Sequence, residues 1–523
     1  MTRARRWWLA TAAVIALVLV AAAVALWSFR GSVLKDQLVS SLSTRLGLDV
    51  TLDDLGFSFF PTPGLTGRGL VLRVPERPDL PAFVSIDAFR VDAGLRNLLS
   101  GHFHTARLDG LQITIPPGDD KKALAPPDRG GEDESNWSNG VVIDRIETPR
   151  AELTILRRKP GDPPLVFEIH ELTLTEVGYD RQIPFRTKLT NPVPRGLVDS
   201  TGKIGPFPRG RPSDVPVEGD YTFTGADLNT IRGIAGTLAS TGRYDGVLSR
   251  LNVKGRSETP DFSLDLGGRP LPLTATFETV VDGTNGTTEL TRVDARLLNT
   301  DIQVTGLIEN LPGPGNRDIK LNAKILKGRI EDVLRLVLES DTPLFSGDIV
   351  LDAGIVLPPG PARVRERIRI EGRVDLAAGQ FTHPQIRAKL AELSRRSQGK
   401  DQDNNKDAAQ APVDVFSNVR SGFRLDRGVL AVSALRFEVP GAVVRLDGRF
   451  DTRSGALDLK GDLRMQASAS RAVGGWKGAL VRPFDFLFKR DGAGAVIPIR
   501  VSGTRQSPQL DIRFGTLLKR GAR

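Results

Sequence analysis

Over most of this chain apolar and polar residues alternate with a period of two, the pattern of strands with one apolar and one polar face. Seven of these runs read apolar-x-apolar-x-Gly, with the glycine on the apolar side: Tyr221-Phe223-Gly225, Leu251-Val253-Gly255, Ile302-Val304-Gly306, Ile368-Ile370-Gly372, Val444-Leu446-Gly448, Leu457-Leu459-Gly461 and Ile499-Val501-Gly503. A sheet thinned at such positions can curl toward its apolar face. The seven glycines are therefore candidate curvature points. Phe223, Val253, Val304, Ile370, Leu446 and Val501 are candidate residues lining the concave side. The same glycines would also suit bends and strand ends in ordinary sandwiches.

Other periods are rarer. Leu34, Leu38, Leu42 and Leu46 recur every four residues before Gly47, which predicts one amphipathic helix with a glycine stop. Short apolar runs at 50–52, 57–60, 70–72 and 82–95 then predict strands, and the change of parity between Ile86 and Phe89 fits a bulge. Residues 119–137 are polar and form a linker or exposed loop, and 398–410 form a second polar stretch. Between them the central part, 138–327, is continuously β in pattern. Ile330, Val333, Leu334, Val337 and Leu338 predict a short helix, and 384–397 predict another. Strand patterns return over 411–523, interrupted at 476–488 by aromatic and basic residues of interfacial character. The organisation expected is thus a tail (1–6), an anchor (7–29), an N-terminal helix and β region (30–118), the linker, the central β region, a mixed segment (328–410) and a C-terminal β region.

The anchor is Trp7 to Phe29, 23 residues without a charge, which as a helix reach about 34 Å and span a bilayer core. Arg3, Arg5 and Arg6 precede it, so the tail stays cytoplasmic and the remainder is exported. Trp7, Trp8, Trp27 and Phe29 sit where interfacial aromatics belong. Cleavage after Ala23-Val24-Ala25 would release a soluble protein instead.

Composition narrows the chemistry. The 523 residues carry no cysteine, which excludes disulfides and thiolate metal sites, and four histidines. His102 and His104 share a strand face and could ligate a metal, but no carboxylate stands at an obvious spacing. No nucleophile elbow, zincin, Walker or Rossmann signature is present, so neither an enzyme nor a cofactor is expected. The net charge of +10 is spread singly along strands, as in Arg367-Arg369-Glu371-Arg373-Asp375, beside acids. That argues for solvated faces rather than a nucleic-acid surface.

Three stretches carry a family resemblance. They are Arg45-Leu46-Gly47-Leu48-Asp49-Val50-Thr51-Leu52-Asp53-Asp54-Leu55 leading to Phe60-Pro61-Thr62-Pro63-Gly64-Leu65, Asn418 to Phe423 with Gly428 to Leu430 and Asp447 to Leu459, and Ile497 to Thr504 with Ser507 to Leu510. In that order, after an anchor, they resemble the AsmA-like family of diderm bacteria. The resemblance implies an inner-membrane anchor carrying an elongated, curved antiparallel β-groove in the periplasm. It implies a role in moving phospholipid or other acyl-chain lipid toward the outer membrane and in envelope biogenesis, with other envelope proteins as partners and no nucleic acid. A structural or assembly factor for outer-membrane proteins, without lipid cargo, is the alternative. With ~35 strands at ~4.8 Å spacing, such a sheet would measure at most ~170 Å.

Overall fold

A computed structural model describes residues 48–58, 63–73, 81–92, 102–115, 142–156, 164–178, 181–206, 214–265, 268–283, 285–311, 316–337, 345–382, 417–439, 441–465, 496–504 and 508–512, with helical residues 35, 36, 39, 40 and 43. These form a chain of strands: β1 (Asp49–Thr51), β2 (Asp54–Ser58), β3 (Gly64–Arg73), β4 (Val84–Asp92), β5 (His102–Asp109), β6 (Leu111–Ile115), β7 (Val142–Thr148), β8 (Ala151–Ile155) and β9 (Leu165–Val177). The series continues through β10 (Ile183–Pro192), β11 (Arg195–Ile204), β12 (Pro216–Asp227), β13 (Ile234–Ala235), β14 (Thr237–Val247), β15 (Arg250–Leu264), β16 (Leu271–Val281), β17 (Thr288–Leu297), β18 (Thr300–Asn310) and β19 (Arg317–Arg329). A helix, α1 (Ile330–Val337), follows, then β20 (Phe345–Leu357), one helical turn, α2 (Val364–Arg367), and β21 (Arg369–Phe381). The last strands are β22 (Ser417–Asp426), β23 (Val429–Val439), β24 (Ala442–Asp451), β25 (Ala456–Met465), β26 (Val496–Thr504) and β27 (Pro508–Ile512).

All 27 strands belong to one sheet, and from β9 onward each main strand pairs antiparallel with the next in sequence. Hairpin turns suffice for this meander. Among the described strands only β5 with β7 and β6 with β8 run parallel. β1 and β2 share one place beside β3, β5 and β6 one place beside β4, and β7 and β8 one place beside β9, while β13 only flanks the end of β15. That leaves 23 places in a row, open at both ends, and a contour of about 106 Å at ~4.8 Å per step. The described sheet has fewer places than the ~35 strands assumed for the upper bound, and its strands are long: β15 has 15 residues and β9, β19, β20 and β21 have 13 each.

The first places are built differently from the rest. Leu65 opposes Val91 and Leu72 opposes Val84, so the buried set on β3 changes parity around Gly69 and that on β4 around Asp87, with no slip between the two strands. The expected bulge between Ile86 and Phe89 is therefore a crease shared by neighbouring strands. β1 gives way to β2 and β5 to β6 on the same line. Gly69 and Gly110 occupy positive φ there (63° and 68°), and side chains in their place would strike the Asp53 and Asp87 carboxylates. The crease folds the sheet over one core, where Leu72, Val84 and Phe103 are fully buried. The helical residues near 35–43 pack on this core through Val39, and Ser43 Oγ accepts from the Val50 amide at 3.2 Å. Leu34, Leu38, Leu42 and Leu46, which predicted this helix, lie outside the described residues, so what is described of it is this contact through Val39.

Farther on, helices and connections touch places that the sheet order separates. α1 lays Ile330 and Val333 on a cluster that includes Ile302, Ile325, Ile349 and Leu376. Its far end reaches the turn after β15, where the Arg269 amide donates to the Arg335 carbonyl at 3.1 Å. Buried Asp332 fixes the helix by accepting from the Asn299 amide (3.0 Å) and the Thr300 hydroxyl (2.9 Å). The connection between β12 and β14 likewise meets α2: a Cβ on Gly233 would lie 2.9 Å from a Val364 methyl. Burial, and then repulsion from Arg232, lower the Arg367 pKa at this contact. These contacts tie together places that stand four or more steps apart in the sheet order. The residues of the expected anchor, linker, second helix (384–397) and 476–488 segment lie outside the described residues. Among those described, no helix is long and apolar enough to cross a membrane.

Candidate functional site

Directly opposed residues in a sheet share a face, so the register traces what lines the concave side. One row begins at Leu172 and passes through Thr187, Ser200, Tyr221, Gly242 and Gly255. It continues through Phe277, Val293, Val304, Ala323, Ala353 and Gly372, and ends with Phe423, Val432, Gly448, Leu459 and Val501. A second row, two residues along each strand and three on bulged β17, starts with Leu174, Phe185, Gly202, Gly219, Tyr244 and Val253. Thr279, Leu290, Gly306, Leu321, Ile355 and Ile370 follow, then Leu425, Leu430, Phe450, Leu457 and Gly503. Each row crosses every place from β9 to β26 without a single ionisable acid or base other than the two phenols. Most of these side chains are half-buried, in contrast to the fully buried core at the crease.

The six residues expected to line the concave side all stand on this face. Val304 and Val501 are in the first row, Val253 and Ile370 in the second. Phe223 opposes Val198 and Ser240 in an adjoining row, and Leu446, which is buried, opposes Gly461 in another. Five of the seven glycines show a shared geometry. A Cβ at Gly448 would come within 2.6 Å of the Leu459 Cα, at Gly306 within 2.8 Å of the Leu321 Cα, at Gly372 and Gly461 within 3.0 Å of the Ala353 and Leu446 Cα atoms, and at Gly255 within 2.7 Å of the Thr241 carbonyl. Facing Cβ atoms in a flat pair stand ~4.5–5.5 Å apart, so at these points the neighbouring strands tilt together on the apolar side. Gly503 is in the second row with φ 95°.

Gly225 departs from the expectation. It lies in a bulge between Phe223 and Ala226, at φ 62°, exposed and with open space where a side chain would project. The bulge breaks the alternation that placed it on the apolar face. Conversely Gly202, Gly219 and Gly242 do face the concave side. Gly202 opposes Gly219 and Gly242 opposes Gly255, so two adjacent strand pairs carry no side chain at the contact. They escaped notice because their strands carry Tyr, Ser or Thr at the neighbouring inward positions rather than a run of aliphatics.

Tyrosine rings cover these gaps. A Cβ at Gly219 would lie 2.7 Å from the Tyr244 hydroxyl and one at Gly255 3.0 Å from the Tyr221 hydroxyl, with the two ring centroids 6.4 Å apart. An aromatic ring laid across a glycine on the next strand restores the missing packing. The Tyr244 hydroxyl is 2.8 Å from Ser200 Oγ, and the Tyr221 hydroxyl 3.2 Å from Ser240 Oγ. Burial raises both phenol pKa values, against the lowering effect of those bonds.

The opposite face is charged and paired across strands. Lys254 meets Glu278 at 3.5 Å, Lys324 meets Asp352 at 3.8 Å, and Arg500 meets Asp458 at 2.9 Å. The run Arg369-Glu371-Asp375 pairs with Asp426, Arg424 and Arg420 respectively. Arg424 grips Glu371 with two bonds, of 2.8 and 3.0 Å, and lowers its pKa. All are exposed, so each adds little to stability. Their effect is to keep one face wet. His104, for which sequence offered no carboxylate, has Asp144 at 2.9 Å because parallel β5 and β7 place them side by side. No group of three metal-ligating side chains occurs among the described residues. His170 is bonded to the Thr190 hydroxyl at 2.7 Å. No protein family model matches this chain, and no curated protein matches it.

Proposed function

We propose that the chain is a lipid-handling protein of the AsmA-like type, in which the concave face of the sheet is a groove for acyl chains. The observation that carries this reading is the pair of uncharged rows across β9 to β26, most of whose side chains are half-buried rather than enclosed. A face of that kind offers aliphatic contact without fixed charge. Each methylene it shields contributes roughly 0.8 kcal/mol, enough for a chain to be held by contacts that are individually weak and allow sliding. The paired charges of the other face keep the body soluble.

In this proposal residues 7–29 anchor the protein in the inner membrane with its tail cytoplasmic. The sheet then lies in the periplasm and takes part in moving phospholipid or another acyl-chain lipid toward the outer membrane. The contour of about 106 Å suits a segment of such a path. The test is to purify the protein through a C-terminal tag, extract it with organic solvent and identify bound lipid by mass spectrometry. Wild type should carry lipid, and a Val253→Glu, Val304→Glu, Ile370→Glu variant that remains folded should not. Wild type recovered without lipid, with a protein crosslinked in its place, would instead favour the assembly-factor reading.

A further inference from the structure

Among the described residues of the two rows, hydroxyl side chains gather on β10 to β14, with Thr279 farther along on β16, and the hydrogens of the cluster can be accounted for one by one. Ser200 Oγ lies 2.9 Å from the Asp220 carbonyl, and Ser240 Oγ 3.0 Å from the Arg256 carbonyl. A carbonyl only accepts, so each serine spends its single hydrogen there. The contacts to the tyrosines must then run the other way: Tyr244 donates to Ser200 and Tyr221 donates to Ser240. Thr187 also turns its hydrogen to a backbone carbonyl, that of Glu171, at 3.0 Å. Both phenols are half-buried and held neutral, with every hydrogen engaged and oxygen lone pairs remaining. Thr187, Ser200, Ser240 and the two phenols thus offer lone pairs and keep no hydrogen free, while Ser257 opposes Ser240 in the register.

We propose that this patch is a subsite for an aliphatic hydroxyl group carried by the bound amphiphile. Resting on the groove reading above, it adds a selectivity that the aliphatic rows lack. A hydroxyl donates to a phenol oxygen without disturbing the network. An ester carbonyl placed there meets only lone pairs, or must break a tyrosine–serine bond. The hydroxyl can belong to a hydroxyacyl chain or to a glycerol-type head group, since both present the same donor.

Competition binding against a fluorescent fatty acid tests this on the full-length protein in detergent. One arm compares β-hydroxymyristate with myristate, the other monomyristoylglycerol with methyl myristate. Wild type should prefer the hydroxylated member of at least one pair by about fivefold, the worth of one net hydrogen bond, and the arm that shows it identifies the source. Tyr221→Phe with Tyr244→Phe keeps the rings over the glycines and should bring that preference to about one while myristate still binds. Ser200→Ala with Ser240→Ala frees the phenol hydrogens and should move the preference toward methyl myristate. Equal binding of both members of both pairs by wild type, or a preference that survives the double phenylalanine change, overturns the subsite and leaves the groove intact. Failure of every probe to bind wild type overturns the groove itself.

Discussion

A single carboxylate on the concave face separates binding from folding. Ile370 stands in the second row with Ile355 and Leu425 on either side, half-buried. Full burial of an isoleucine is worth ~1.5–3 kcal/mol, so Ile370→Glu should cost about 1 kcal/mol of stability, plus a few tenths for the poorer strand propensity of glutamate. In the empty groove the carboxylate still reaches water. Under a bound acyl chain it does not, and it must then either lose its hydration or take up a proton. A rise of two to three pKa units on covering would weaken binding by about 2.5–3.5 kcal/mol near pH 7, about a hundredfold in Kd. Because the bound-state pKa is the raised one, the penalty should shrink as pH falls toward about 5 and the free carboxylate protonates. Thr276→Glu is the control: it places the same charge on the wet face, opposite Arg256. Titration of a fluorescent fatty acid, with a thermal melt of each variant, measures both quantities. Affinity of a folded Ile370→Glu protein within about twofold of wild type, or an equal loss in Thr276→Glu, would refute the assignment of the concave face as the binding surface.

Two further outcomes follow from local geometry. Gly448→Val must push back the Leu459 Cα that lies 2.6 Å from the new Cβ, and should cost about 1–3 kcal/mol in chemical denaturation, whereas Gly225→Asn, with open space and a left-handed φ of 62° that asparagine tolerates, should change stability by less than about 0.5 kcal/mol. In alkali the raised phenol pKa values of Tyr221 and Tyr244 give a defined sign. The unfolded chain loses its phenol protons first, so the contribution of this pair to stability is full below about pH 10 and falls as pH rises from there through the folded values; phenolate absorbance should show a late-titrating component that Tyr221→Phe with Tyr244→Phe removes.

Much of this arrangement was legible in the sequence, and the parts that were not have physical causes. Period-two alternation located the strands and faces because one face is wet everywhere, so each strand declares its orientation locally. The α1 helix was legible because Ile330 and Val333 must meet one cluster at helical spacing. Gly225 was placed on the wrong face because a bulge adds one residue without any compositional mark. The crease escaped because it depends on Gly69 and Gly110 taking positive φ beside Asp53 and Asp87, a relation between strands. Asp144 was invisible as a partner of His104 because parallel pairing joins residues forty positions apart. The inward tyrosines read as ordinary strand residues, since only register shows that they cover glycines and that serines across the strand take their hydrogens.

Register also explains why an apolar face can stay open without closing into a barrel. Closure would require the strand at β27 to meet the one at β1 and β2, and no such pairing exists. Curl is instead spent locally, at glycines where adjacent backbones approach and at the contacts of α1 and α2 across the arc. This hides part of the apolar surface from water and leaves most of the row residues half-buried. An occupant that binds only the folded sheet completes that burial and stabilises the fold by mass action. Because aliphatic rows reward any apolar chain alike, discrimination among occupants has to come from polar positions in the lining. In the two rows from β9 to β26 the polar side chains are Thr187, Ser200, Thr279 and the phenols of Tyr221 and Tyr244.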